Sequence, residues 1–158
     1  MAMFTAAETD KVPRNDLNGG GMDAKLLRYQ EAGVTAWPRT SEATGRWAQG
    51  YRAGDLVFLQ GQTGLTLDGE LVGPYDPGLQ TEQAMANIRE LMRLAGGDLS
   101  DVVKIVVYVT DRAHRPFVYP VISEAFGELK PCSTGLIVAG LAIPELVVEI
   151  DAYGVIRG

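Results

Sequence analysis

The sequence predicts an α+β domain in which a mixed β-sheet carries two helices on one face. Three observations carry that prediction: two segments whose apolar residues return every three or four positions, a β-branched run between them, and short apolar runs joined by glycine-marked turns on either side. With 158 residues, 46% of them apolar, the chain can bury one core but not two.

Residues 1–21 mix charges, asparagine and three consecutive glycines without a period. Little burial offsets the cost of ordering such a backbone, so a flexible tail is expected there, ahead of a single domain over residues 22–158. From Ala53 onward the pattern sharpens. Asp55 to Gln60 is rich in strand formers, and Leu65 to Leu71 places Asp68-Gly69 between apolar positions, which predicts a tight hairpin. In Gln80 to Ala95, the residues Ala84, Met85, Ile88, Leu91, Met92 and Ala95 form one stripe, so an amphipathic helix is expected, closed by Gly96-Gly97. Asp101 to Thr110 predicts an interior strand with Val103, Ile105, Val107 and Val109 on one face. Helical spacing returns over Arg115 to Lys130, where Pro120 is expected in the first turn. Ser133 to Val138 and Leu146 to Ile156 close the chain as two strands. These strands carry apolar residues on both faces and no third helix is left to cover the second face. Self-association is the expected remedy.

Charge and composition exclude several functions. Fourteen Lys and Arg against twenty Asp and Glu leave a net charge of −6, which repels phosphate backbones and anionic lipid, so neither nucleic acid nor membrane is an expected partner. No apolar run is long enough to span a bilayer, and the N-terminus lacks the marks of a secretory signal, so an intracellular, cytoplasmic protein is expected. The single cysteine and single histidine allow neither an internal disulfide nor a zinc site, and no metal or cofactor is expected. His114 is expected as a solvated loop residue and Cys132 as a small buried apolar one.

One carboxylate has an unusual address. Glu149 stands among β-branched residues in Leu146-Val-Val-Glu-Ile150, where desolvation would raise its proton affinity and make it a general acid or base; the alternative is a solvent-facing charge, or one paired with Lys104. Asp151 shares its strand face, and a like charge there would push the same way. Ser133 and Thr134 can bond to a carbonyl or carboxylate, and the Gly61 to Gly64 segment offers backbone amides.

Taken together, several ordered blocks resemble the Rid family, also called YjgF or endoribonuclease L-PSP-like. They are Gly54 to Gln62, Gly69 to Gly73, Gln80 to Ala84 with Asn87-Ile88, Ala95 to Gly97, Asp101 to Lys104, Tyr108 to Asp111, Phe126-Gly127, Pro131 and Val148 to Ile150. The resemblance implies a chorismate-mutase-like fold assembled as a homotrimer, with small-molecule clefts between subunits. It also implies hydrolysis of enamines or imines to carbonyl compounds, or tautomerisation of such a compound, with Glu149 activating water and Gly61 giving a backbone contact. The arginine that clamps a substrate carboxylate in deaminating members would stand at position 133, where this chain has Ser133. Losing such a contact costs about 2–5 kcal/mol, so simple imino acids are expected to be poor substrates. Trp47, Gln60 and Tyr119 stand where tyrosine, serine and asparagine are usual, which implies a bulkier, more aromatic pocket and a larger or less anionic carbonyl, enamine or aromatic ligand, bonded by Gln60, Ser133 and Thr134 with Trp47 and Tyr119 packed against it. The alternative is a trimer that binds or regulates without chemistry.

Overall fold

The computed structural model describes residues 24–29 and 48–157; the expected tail over 1–21 and the candidate Trp47 lie outside them. Seven strands form one sheet: β1 (Ala24–Tyr29), β2 (Ala48–Ala53), β3 (Leu56–Leu59), β4 (Gln62–Thr63), β5 (Val102–Val109), β6 (Cys132–Ile137) and β7 (Val148–Val155). Their order is β1-β2-β3-β7-β5-β6, with β4 pairing on β7. Only β5 and β6 run parallel, because the helix between them returns the chain to the same end of the sheet. The sheet is therefore mixed, as patterning predicts.

Helix α1 (Pro77–Ala95) begins ahead of its apolar stripe. The Asp76 side chain accepts from the backbone N–H of Gly78 at 2.9 Å and of Leu79 at 3.0 Å, and Pro77 takes a first-turn position that needs no donor. Gly96 closes the helix in the left-handed region at φ 92°. Helix α2 (Arg115–Phe126) corrects the expectation for its start. Pro116 occupies the first turn and Pro120 lies in the interior, where both prolines are exposed and solvent can satisfy the carbonyl that Pro120 leaves without a donor. The helix stops at Gly127 rather than continuing to Lys130.

The sequence leaves one pair of strands unread, and two further expectations are corrected. Strand β2 and its partner β1 carry too mixed a pattern to be read from the sequence, yet they extend the sheet past β3. The Asp68-Gly69 turn forms, but its flanks make a single bridge between Leu65 and Leu71 instead of paired strands. In β5 a register irregularity between Val102 and Lys104 turns Val103 outward, 46% exposed, while Val102 joins Ile105, Val107 and Val109 in the core.

Both helices pack on one face. Ile88, Leu91 and Met92 of α1 and Val118, Ile122 and Phe126 of α2 meet Val57, Ile105, Val107, Val148, Ile150 and Ala152 from the sheet. The other face displays Leu56, Phe58 and Leu136, each more than two-fifths exposed, alongside Tyr108 and Tyr153. No described helix is long and apolar enough to cross a membrane.

A buried side chain ties the loops near the start of β7. The Gln80 amide donates to Gly73 O at 2.9 Å and Glu145 O at 2.7 Å, and its oxygen accepts from Val147 N at 2.8 Å. Replacing Gln80 with leucine would orphan three backbone groups, each costing about 1–3 kcal/mol. Urea denaturation at fixed protein concentration should show Gln80→Leu less stable by about 3 kcal/mol or more.

Candidate functional site

Strand β7 sets the geometry of the site. Val148, Ile150 and Ala152 point into the core, so Glu149, Asp151 and Tyr153 must occupy the opposite face. Glu149 lies between Thr63 of β4 and Tyr108 of β5 in register. Its side chain lies against the backbone of Gly61: a β-carbon there would collide with a Glu149 carboxylate oxygen and stand 2.7 Å from Cδ and 2.8 Å from Cγ. The glycine is thus required by a close approach, not by its dihedral angles.

Around Glu149, a pocket of about 80 Å³ is lined by Gln49, Gln60, Gly61, Gln62, Thr63, Leu65, Thr66, Ala142 and Leu146. Burial raises the proton affinity of Glu149 above that of an ordinary glutamate, and the nearby Asp151 charge adds to the effect. Lys104 does not neutralise it. In register with Tyr153, Lys104 instead donates from its ammonium to Thr134 Oγ1 at 2.5 Å. Asp151 accepts a hydrogen bond of 2.8 Å from the Tyr108 hydroxyl, which raises that phenol to about 12 because ionising it would place two negative oxygens together.

The predicted site residues fall into two groups within one chain. Gln60, Gly61 and Glu149 share the pocket. Ser133, Thr134 and Tyr119 lie at the β6 edge. Thr134 is in register with Val106, and Val106 with Asp151, so Thr134 shares the Glu149 face and lies two strand spacings, about 10 Å, from Asp151. Ser133 is in register with Ile105 on the helix-bearing side. Tyr119 reaches from α2 onto that side, where its hydroxyl occupies the space that a β-carbon on Gly135 would take. The Arg115 guanidinium stacks over the Tyr119 ring, 4.8 Å from its centroid. Arg52, by contrast, is committed to the carbonyls of Gly54, Ala95 and Ile156.

Two expectations about chemistry-bearing residues are corrected. Cys132 is exposed, because it opens the edge strand β6. His114 closes a 3₁₀ turn (Arg112–His114) ahead of α2 and is half-buried, with Nδ1 unpaired among the described residues. Sequence reasoning missed Gln49 and Thr63. Gln49 donates to Leu67 O at 3.2 Å while its own oxygen is buried without a partner among the described residues. Its neighbours give no periodic signal that would have exposed it. Among the described residues no cluster of three or more His, Cys, Asp or Glu could hold a metal ion.

Known proteins similar to this chain in sequence or in fold are numerous. The sequence profile of the family described as Endoribonuclease L-PSP matches residues 38–156. A RutC family protein of Pyrococcus horikoshii is 34% identical over 111 residues, which cover 68% of this chain and 85% of the relative. The chloroplastic Reactive Intermediate Deaminase A of Arabidopsis thaliana is 31% identical over 119 residues, or 75% and 63% of the two chains. Among solved structures, the Mycobacterium tuberculosis YjgF/YER057c/UK114 family member Rv2704 superposes with a TM-score of 0.64 at 32% identity, over 75% of this chain and 93% of its own. RidA from an Antarctic Psychrobacter gives 0.65 at 30% identity, over 82% and 100%. On these matches the chain belongs to the Rid/YjgF family, also described as endoribonuclease L-PSP, which includes reactive-intermediate deaminases.

Proposed function

We propose that the protein is a cytoplasmic homotrimer that hydrolyses small reactive enamines or imines in clefts between its subunits. The observation that carries this reading is Glu149: a half-buried carboxylate of raised proton affinity, seated against Gly61 in a polar pocket. At about 80 Å³ the pocket holds a few water molecules rather than a metabolite. The substrate then lies outside it, against a wall supplied by a neighbouring subunit. The apolar open face of the sheet, with Leu56, Phe58 and Leu136 exposed, supports that assembly.

In the proposed reaction, ionised Glu149 takes a proton from water as the oxygen bonds to the carbon of a protonated imine and the π electrons pass to nitrogen. Glu149 returns the proton to nitrogen. It then takes the hydroxyl proton as the C–N bond breaks, leaving a carbonyl compound and ammonia. Gln60 and the Gly61 amide bind the substrate beside Glu149, while Thr134, with Ser133 and Tyr119 at the same β6 edge, lines the opposite wall. Ser133 carries no charge to hold a carboxylate, so simple imino acids are poor substrates and larger, less anionic enamines or imines are preferred. The same uncharged residue also favours a second reading, a trimer that captures a metabolite without turnover. A thermal shift given by a metabolite that the protein does not consume would select it.

Glu149→Gln should lower the rate of imine hydrolysis by about 10²–10⁴-fold, measured as carbonyl product from enzymatically generated imines. Gly61→Ala should impair it comparably by displacing the carboxylate; wild-type rates in both variants would remove Glu149 from the reaction. Light scattering should give three times the chain mass, and Phe58→Asp on the open face should dissociate the assembly. The pH dependence of stability has a definite sign. A carboxyl whose proton affinity is higher folded than unfolded stabilises the fold below the ordinary glutamate range, and that contribution is lost as pH rises through the folded value. Glu149→Gln should therefore melt above wild type at about pH 8, and the gap should close toward about pH 4.

A further inference from the structure

Two carboxylates, Glu149 and Asp151, stand two residues apart on one face of β7, about 7 Å along the strand. Their surroundings differ. The Tyr108 hydroxyl donates to Asp151 Oδ2 at 2.8 Å, although Tyr108 is the register partner of Glu149. Tyr108 thus reaches diagonally past its own neighbour to the second carboxylate. The other titratable groups on this sheet face are Tyr153, whose ring packs edge-on to Phe58, Lys104, whose ammonium is turned toward Thr134, Tyr51, in register with Phe58, and Cys132, in register with Lys104. On β4 the facing residue is the uncharged Thr63. Among the described residues no salt bridge involves either carboxylate.

We infer that Tyr108 decides which of the two carboxylates exchanges protons: its hydroxyl is committed to Asp151, which leaves Glu149 without that donor and beside the Asp151 charge. A hydrogen bond to an ionised carboxylate favours its charged form, and a fixed negative charge nearby then disfavours ionisation of the second carboxylate. Environments that push two neighbouring carboxyls apart assign one as the proton carrier and the other as an electrostatic support. Tyr108 and Asp151 are accordingly positioning residues that act through Glu149. The inference rests on the reading of Glu149 as the working acid and base, and it supplies what that reading lacks, namely why this carboxylate and not its neighbour exchanges protons.

The two residues make opposite predictions. Removing the fixed anion in Asp151→Asn should move the titration of Glu149 to lower pH. Removing its hydrogen-bond donor in Tyr108→Phe leaves the doubly ionised pair less stabilised and should move the upper step of the coupled titration to higher pH. Both shifts are read directly from the side-chain carboxyl carbon signals of ¹³C-labelled protein, with Glu149→Gln assigning the resonance. They are read again from the acid limb of kcat/KM for imine hydrolysis. A purely structural role would lower the signal or the rate in both variants without displacing either titration. An unmoved titration in both variants, or shifts of the same sign, would overturn the inference. Opposite shifts in the carbon signals of a protein that hydrolyses no imine would uphold this proton assignment and sink the hydrolase reading instead.

Discussion

The alternation of β7 is the constraint on which the rest of the molecule depends. Val148, Ile150 and Ala152 are all fully buried beneath the helices, and each fixes the opposite direction for the residue after it. A one-residue slip would bury Glu149 and Asp151 among apolar side chains, a cost that several kilocalories of desolvation per ion make prohibitive. Register therefore couples the core to the chemistry. The site's carboxylate stays where it is because the core cannot accept it.

The core-facing half of that arrangement is braced from the helix layer. Gln80 holds the start of β7 by Val147 N and the preceding loop by Glu145 O, while Asn87 of the same helix binds Leu65 O at 2.7 Å on the rim of the pocket. Buried amides from α1 thus satisfy the loop backbone that frames Glu149. Neither residue is charged, so the bracing adds no field of its own at the site. The charge environment of Glu149 comes from the sheet face alone, where Asp151 and Tyr108 are its polar neighbours.

The open face makes the protomer look incomplete. Leu56 and Phe58 on β3 and Leu136 on β6 expose apolar side chains on either side of β7 and β5, which carry Glu149, Asp151 and Lys104. A surface so patterned gains by association, since apolar area leaves water at about 25 cal/mol per Å². The β6 edge, with all six residues exposed, and the aromatic stack of Arg115 on Tyr119 lie at one border of that surface.

The sequence by itself determined the helices, the interior strands, the mixed sheet and the position of Glu149 in a strand, because each rests on local periodicity: apolar spacing in α1, β-branched density in β5, an acid flanked by core-facing apolar residues in β7. It also carried the family, since the matching blocks are contiguous. Only the tertiary structure decided the rest. Strands β1 and β2 draw their stability from pairing rather than composition, and the bulge near Val103 reverses a face that strict alternation assigned the other way. Gly61 against Glu149 and Tyr108 against Asp151 join residues 88 and 43 positions apart, so no local pattern can announce them. Contacts of that kind exist only once the sheet has set its register, and it is they that turn an acidic residue in a strand into a site.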